Sequence, residues 1–237
     1  MRTAYRTNRG LVRKNNEDSI LVREPELFAI ADGMGGEKAG EVASLKAVHG
    51  LNDMDLSSLE EAQVLPYIRQ SIEGINAQIW NLAVTQSALK GMGTTLTVLY
   101  LNQEKKGFVG HVGDSRIYLW QDESLKQVTS DHSYVAELVR QKQLTPEEAE
   151  NSEKKHMILR AVGAAPVVEV DTFEFILAGA QKLLLCSDGL SNMVEQHKLE
   201  EIFREKDVEA LADRLLEEAL LAGGRDNISF IIIDLEA

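Results

Sequence analysis

Gly107-Phe108-Val109-Gly110-His111-Val112-Gly113-Asp114-Ser115-Arg116-Ile117-Tyr118-Leu119-Trp120 holds two strand-forming runs on either side of a short Gly-Asp-Ser turn. β-Branched and aromatic residues favour the extended chain, while glycine and aspartate supply the backbone freedom and local hydrogen bonds of a turn. So short a turn predicts a hairpin whose strands pair antiparallel. The same reading holds upstream, where strands over 94–101 and 107–112 flank a turn at 102–106. Further strands are predicted over 27–31, 168–175, Lys182–Cys186 and 228–235.

Helices are marked by a different period. Leu65, Ile68, Ile72, Ile75, Ile79 and Leu82 recur at steps of three and four, which aligns them on one face of a long helix. Val208, Leu211, Leu215 and Ala219 repeat the pattern. Shorter helices are predicted after Gly35 and Gly36, through Val42 and Ala43 towards Val48, and over 134–142. Helices outside stacked antiparallel sheets make an α+β, four-layer α-β-β-α sandwich in which antiparallel helices flank the two sheets. With no repeat, low-complexity tract or proline-rich linker, one domain over 1–237 is expected. Residues 143–155 are polar and contain Pro146, so a mobile flap is expected around 134–156.

The chain has 237 residues, 44% of them apolar, enough for a full core. No apolar run approaches the ~20 residues of a spanning helix, and the N-terminal residues turn polar at once, so a cytoplasmic location without membrane insertion is expected. Against 25 basic residues stand 38 acidic ones, a formal charge of -13 that opposes nucleic-acid binding. Cys186 is the single cysteine and lies in an apolar run, which excludes an internal disulfide and reads as a small buried hydrophobe.

Aspartates recur where apolar strands meet turns: Asp32 before Gly33, Asp114 after Gly113, Asp188 before Gly189, and Asp226 before Asn227. One such aspartate is ordinary turn chemistry; four at strand ends weaken that explanation. Gathered at one rim they would repel unless protonated or neutralised, and oxygen ligands suit Mg²⁺ or Mn²⁺. The five histidines lack close ligand spacing and the lone cysteine excludes a thiolate cluster, which makes zinc less natural. Arg13 precedes Glu17 and Asp18; its guanidinium could be a surface salt-bridge partner or a clamp for a phosphate dianion.

Taken in order, Arg13-Lys14-Asn15-Asn16-Glu17-Asp18, Asp32-Gly33-Met34-Gly35-Gly36, Gly93-Thr94-Thr95, Gly113-Asp114-Ser115-Arg116, Ser187-Asp188-Gly189 and Asp226-Asn227 resemble the bacterial branch of the type 2C, metal-dependent protein phosphatases. Asp131-His132-Ser133 and Ile158-Leu159-Arg160-Ala161-Val162-Gly163 resemble the segments bracketing the flap in that branch. The resemblance implies a phosphoserine and phosphothreonine protein phosphatase with two Mn²⁺ or Mg²⁺ ions and a weaker third, and a water attacking phosphorus without a phosphoenzyme. It implies Asp32 as the bridging ligand, Asp188 and Asp226 on one metal, and the Gly33 carbonyl on the other. Glu17 and Asp18 would act mainly through water, Asp114 with Asp188 would hold the third ion, and Gly93-Thr94-Thr95 would shape a strand entry near the site. Its partners would be phosphoproteins and an opposing Ser/Thr kinase, and the protein would be a monomer.

Many eukaryotic relatives carry a histidine after the Asp-Gly, where this chain has Met34. His156, at the end of the flap, is the candidate acid here, with a solvent-exposed histidine or a metal-bound water as alternatives. Competing functions are a noncatalytic module, calcium-loaded or degenerate, and a phosphatase confined to one anti-sigma-type partner. The intact aspartate set with Arg13, the lack of an EF-hand loop and the lack of fused sensor domains argue for the general phosphatase.

Overall fold

The central strands are apolar on both faces, and the computed structural model, which describes residues 1–35 and 39–236, shows what covers each face. In chain order the strands are β1 (Arg2–Asn8), β2 (Asp18–Arg23), β3 (Leu27–Met34), β4 (Gly93–Thr94), β5 (Leu96–Leu101), β6 (Lys106–Val112), β7 (Arg116–Gln121), β8 (Ser124–Gln127), β9 (Asp171–Ile176), β10 (Lys182–Cys186) and β11 (Ile228–Asp234). The helices are α1 (Ala39–His49), α2 (Glu61–Thr85), α3 (Tyr134–Arg140), α4 (Pro146–Glu150), α5 (Asp188–Ser191), α6 (Gln196–Phe203) and α7 (Val208–Leu221). One sheet has the order β1-β11-β10-β7-β8 and the other β2-β3-β5-β6-β9, with β4 beside β3. The pairs within both sheets are antiparallel.

Side chains alternate across a strand, and that alternation divides each central strand between two apolar slabs. Phe28 and Ile30 of β3 meet Leu183, Leu185, Ile231 and Ile233 between the sheets. Their neighbours Leu27, Ala29 and Ala31 face the α1 and α2 side, with Ala43, Ala47, Ile68 and Ile72. On the other sheet Leu184, Cys186, Phe230 and Ile232 pack with Phe203, Leu211 and Leu215 of α6 and α7. Three slabs of apolar contact therefore hold four layers together, the architecture that the two sequence periods predict. Ile231→Ala, at a fully buried position in the middle slab, is expected to lower stability by about 2–5 kcal/mol in a urea titration.

One predicted pairing is wrong. β6 and β7 are consecutive and joined by residues 113–115, yet β6 pairs with β5 and β9 whereas β7 pairs with β10 and β8. The Gly-Asp-Ser turn is an arch from one sheet to the other. Gly113 takes φ +113, a conformation that favours glycine, and a Cβ there would come within 2.5 Å of the Thr95 side chain. Ser115 Oγ lies 2.8 Å from Thr95 Oγ1, which pins the far end of the arch.

Other differences are smaller. The strand predicted over 94–101 is broken at Thr95, and the one over 168–175 begins at Asp171. β1, β2, β8, α5 and α6 lie outside the predicted elements. Residues 143–155 are not uniformly irregular: α4 forms within them. Thr145 accepts from the Glu148 backbone, Glu148 returns the bond to the Thr145 N–H, and Pro146 sits in the first turn. The segment is closed at its base by the bridge between Ser133 and Ile158. Gly36, named with Gly35 as a helix entry, lies outside the described residues.

Candidate metal centre

Strand register sets the site. β2 and β3 pair so that Asp18 stands directly opposite Asp32, and like charges facing across a ladder destabilise it. β10 ends two residues before Asp188, which opens α5, while Asp226 lies two residues ahead of β11, the strand beside β10. Each sheet therefore brings carboxylates to the same end, and Asp114 arrives on the arch between the sheets. Asp32 is pushed well above the ordinary carboxylate range by desolvation and then by Asp18, Asp188, Asp114 and Asp226. Burial raises Asp18 to about 7 against hydrogen bonds that favour its charged form, and raises Asp114 to about 7 with Asp188 adding to the effect.

These acids have oxygens to spare. Ser187 Oγ donates to Asp18 Oδ2 at 2.8 Å, and Asn192 Nδ2 to Asp188 Oδ2 at 3.0 Å. Oδ1 of Asp18, Asp114 and Asp188 is in each case buried without a partner. An unsatisfied buried carboxylate oxygen is costly, and oxygens of this kind suit a hard divalent cation. Among the described residues no three His, Cys, Asp or Glu side chains converge closely enough to hold an ion by themselves. The fit is therefore to an ion that completes its shell with water and backbone oxygen, as Mg²⁺-like cations do.

Backbone geometry supports this floor. A Cβ at Gly33 would lie 2.1 Å from the Gly40 carbonyl oxygen and 2.6 Å from that of Glu17, so only glycine permits the three chains to approach. The Asp32 N–H donates to Thr95 Oγ1 at 2.8 Å, and its carbonyl accepts from the Thr95 N–H at 2.8 Å and from Thr94 Oγ1 at 2.9 Å. Thr94 and Thr95 thus fix the peptide carrying Asp32, at the strand entry that the sequence placed beside the site.

Arg13, Glu17, Asp32, Gly33, His156, Asp188 and Asp226 line one cleft of about 840 Å³. Asp18 and Asp114 lie behind it as buried neighbours of its acids. Arg13 Nη2 donates to Asp226 Oδ2 at 2.7 Å, with half its side chain still exposed. His156 Nδ1 stands 3.9 Å from Asp188 Oδ2, an electrostatic contact longer than a hydrogen bond. The facing Asp188 carboxylate raises the His156 pKa, with burial opposing.

Several residues that matter here carry no motif of their own role. Asn227 Oδ1 accepts from the Glu17 N–H at 2.8 Å, and its amide donates to the carbonyls of Arg9 and Asn15 at 3.0 and 2.9 Å. One side chain thereby fastens the Arg13 loop to the Asp226 loop. His132 accepts from the Gly113 N–H through Nδ1 at 3.1 Å, while its Nε2 lies 3.1 Å from Asp171, which Arg160 also grips at 2.8 Å. Both ends of the flap are fastened in this way to the arch that bears Asp114.

The model of the family described as protein phosphatase 2C matches residues 12–222. The serine/threonine phosphatase stp of Listeria monocytogenes is 39% identical over 99% of this chain and 96% of its own length. The serine/threonine protein phosphatase PstP of Mycobacterium tuberculosis is also 39% identical over 99% of this chain, which spans 45% of that longer protein. The crystal structure of the M. tuberculosis phosphatase PstP/Ppp superimposes with a TM-score of 0.91 at 38% identity, covering 100% of this chain and 99% of that one. The PstP catalytic domain in complex with two manganese ions gives 0.87 at 38% identity over 98% and 97% of the two chains. The chain belongs to the protein phosphatase 2C family of metal-dependent serine/threonine protein phosphatases.

Proposed function

We propose that the protein hydrolyses phosphoserine and phosphothreonine in other proteins at a centre of two Mn²⁺ or Mg²⁺ ions with a weaker third, opposing a Ser/Thr protein kinase. The observation that carries this reading is the set of partnerless buried carboxylate oxygens on a floor flanked by Arg13. Asp32 is assigned as the shared ligand, Asp188 and Asp226 as ligands of one ion, and the Gly33 carbonyl with Glu17 and Asp18 as the surroundings of the other. Asp114 with Asp188 is assigned to the third. Bound divalent ions supply a water of lowered pKa for in-line attack on phosphorus and neutralise charge on the phosphoryl oxygens. The two-manganese PstP structure supports the pair of ions by kinship.

Arg13 is positioned to turn from Asp226 to the incoming phosphate. Were Asp226 to hold a cation, the planar fork of Arg13 would be free to pair with two phosphoryl oxygens. His156 lines the same cleft with Nδ1 towards Asp188, leaving Nε2 as the ring atom that hands a proton to the departing alkoxide. No helix of the described residues is long and apolar enough to cross a membrane; a monomer acting in the cytoplasm belongs to the same proposed reading.

Replacing Arg13 by Ala tests the clamp. The loss of a charge-assisted contact worth roughly 1.5–3 kcal/mol lowers kcat/KM by about 10- to 150-fold, mainly through KM, and lysine restores only part of it. An unchanged kcat/KM for a phosphothreonine peptide at saturating Mn²⁺ would leave Arg13 as a salt-bridge partner of Asp226 and nothing more.

A further inference from the structure

The cleft floor is acidic, but its rim is not. In a chain of net charge -13, Arg13, Lys14, Lys155 and Arg225 all line this one cleft. Two of them sit beside groups already described: Arg225 precedes Asp226, the carboxylate that Arg13 holds, and Lys155 precedes His156, which faces Asp188. Arg13 spends its charge on the floor. The side chains of Arg225 and Lys155 do not, for neither makes a hydrogen bond or ion pair among the described residues; the Lys155 backbone N–H donates to the Ser152 carbonyl at 3.2 Å.

Carboxylates outnumber cations in this chain and capture most of its arginines. Arg6, Arg116, Arg140, Arg160, Arg204 and Arg214 each hold an acid. Arg225 is exposed at the loop entering β11, and Lys155 is partly buried at the end of the flap segment. Both line the same cleft as Arg13 and add to its positive rim.

We propose that Arg225 and Lys155 form a specificity subsite for anionic side chains flanking the phosphorylated residue, so that acidic phosphopeptide segments are the preferred substrates. Carboxylates next to the phosphosite meet two cations that no protein group neutralises, and the complementarity suppresses basic segments by like-charge contact. The residues select and do not take part in phosphoryl transfer. This inference rests on the phosphatase reading above.

The experiment compares three phosphothreonine peptides that differ only in bearing Glu, Gln or Lys on both sides of the phosphosite, at saturating Mn²⁺. The native enzyme is expected to favour the Glu over the Gln peptide by about 3- to 10-fold in kcat/KM, as rim charge pairs allow, with the ratio falling at high salt. The combined change Arg225→Glu and Lys155→Glu is expected to reverse the order, so that the Lys peptide becomes preferred. Arg204→Glu with Lys198→Glu, an equal charge change on α6 and at its C-terminal end, should leave the ratios as they were. A native ratio near one, ratios unmoved by the reversal, or an equal loss on all three peptides would overturn the subsite. The metal reading is judged separately, from whether the Gln peptide is hydrolysed when Mn²⁺ is withheld.

Discussion

Asp32→Asn lowers turnover by about 10²–10³-fold or more while the folded protein becomes no less stable, and the pairing of those two results is what identifies the role. The substitution keeps volume and removes one negative charge from the point where Asp18, Asp188, Asp114 and Asp226 all press on the same carboxylate. Without a cation that charge is a liability, because desolvation and four acidic neighbours oppose it. Removing it relieves repulsion across the β2–β3 pair, so a metal-free melt should shift upward or stay level. With cations present the same charge is assigned to hold both, and losing preorganised electrostatic stabilisation of this kind is worth some 2.7–4 kcal/mol. Near-normal hydrolysis by a folded, metal-saturated Asp32→Asn protein would remove Asp32 from the shared position.

Stripping the protein with EDTA should abolish phosphopeptide hydrolysis, by at least about 10³-fold, because Lewis-acid neutralisation of several kcal/mol has no substitute among these side chains. Returning Mn²⁺ or Mg²⁺ should restore it. Thiol reagents should do nothing: Cys186 is buried, and desolvation pushes its thiol up to about 12, leaving no thiolate at neutral pH. Full activity in chelator-treated enzyme, or inactivation by a cysteine alkylator, would count against the metal centre.

The layers were legible because burial on both faces leaves a strong mark. β10 carries the apolar run Leu183 to Cys186 and its predicted limits coincide with the observed ones; the stripe from Leu65 to Leu82 lies within α2. β1 left no such mark: along Arg2–Asn8 only Ala4 is buried, and the strand is held by pairing with β11 rather than by its own side chains. The β6–β7 arch was misread because turn chemistry is local, whereas whether two strands share a sheet is decided by distant partners, β5 and β9 for one and β10 and β8 for the other. The site divides similarly. Aspartates at strand ends stand out in a sequence, and the structure brings residues 17, 18, 32, 33, 114, 188 and 226 to one end. Asn227, His132 and Arg160 lie in stretches that resemble the family, but their roles and that of Asp171 do not stand out, since their partners lie up to 218 residues away and no spacing announces them.

The arch at residues 113–115 has a mechanical meaning. Two stacked sheets joined only by side-chain packing can shear, and a slip of one residue, about 3.3 Å, would part the Asp32 side of the centre from the Asp188 and Asp226 side. A three-residue strap spans no more than about 11 Å when taut, and this one is bent by Gly113 and tethered by Ser115 to Thr95. It takes out the slack where the opposing carboxylates meet, so sliding of one sheet over the other is resisted beside the cleft. The alignment of the acids is thereby secured by covalent chain as well as by packing.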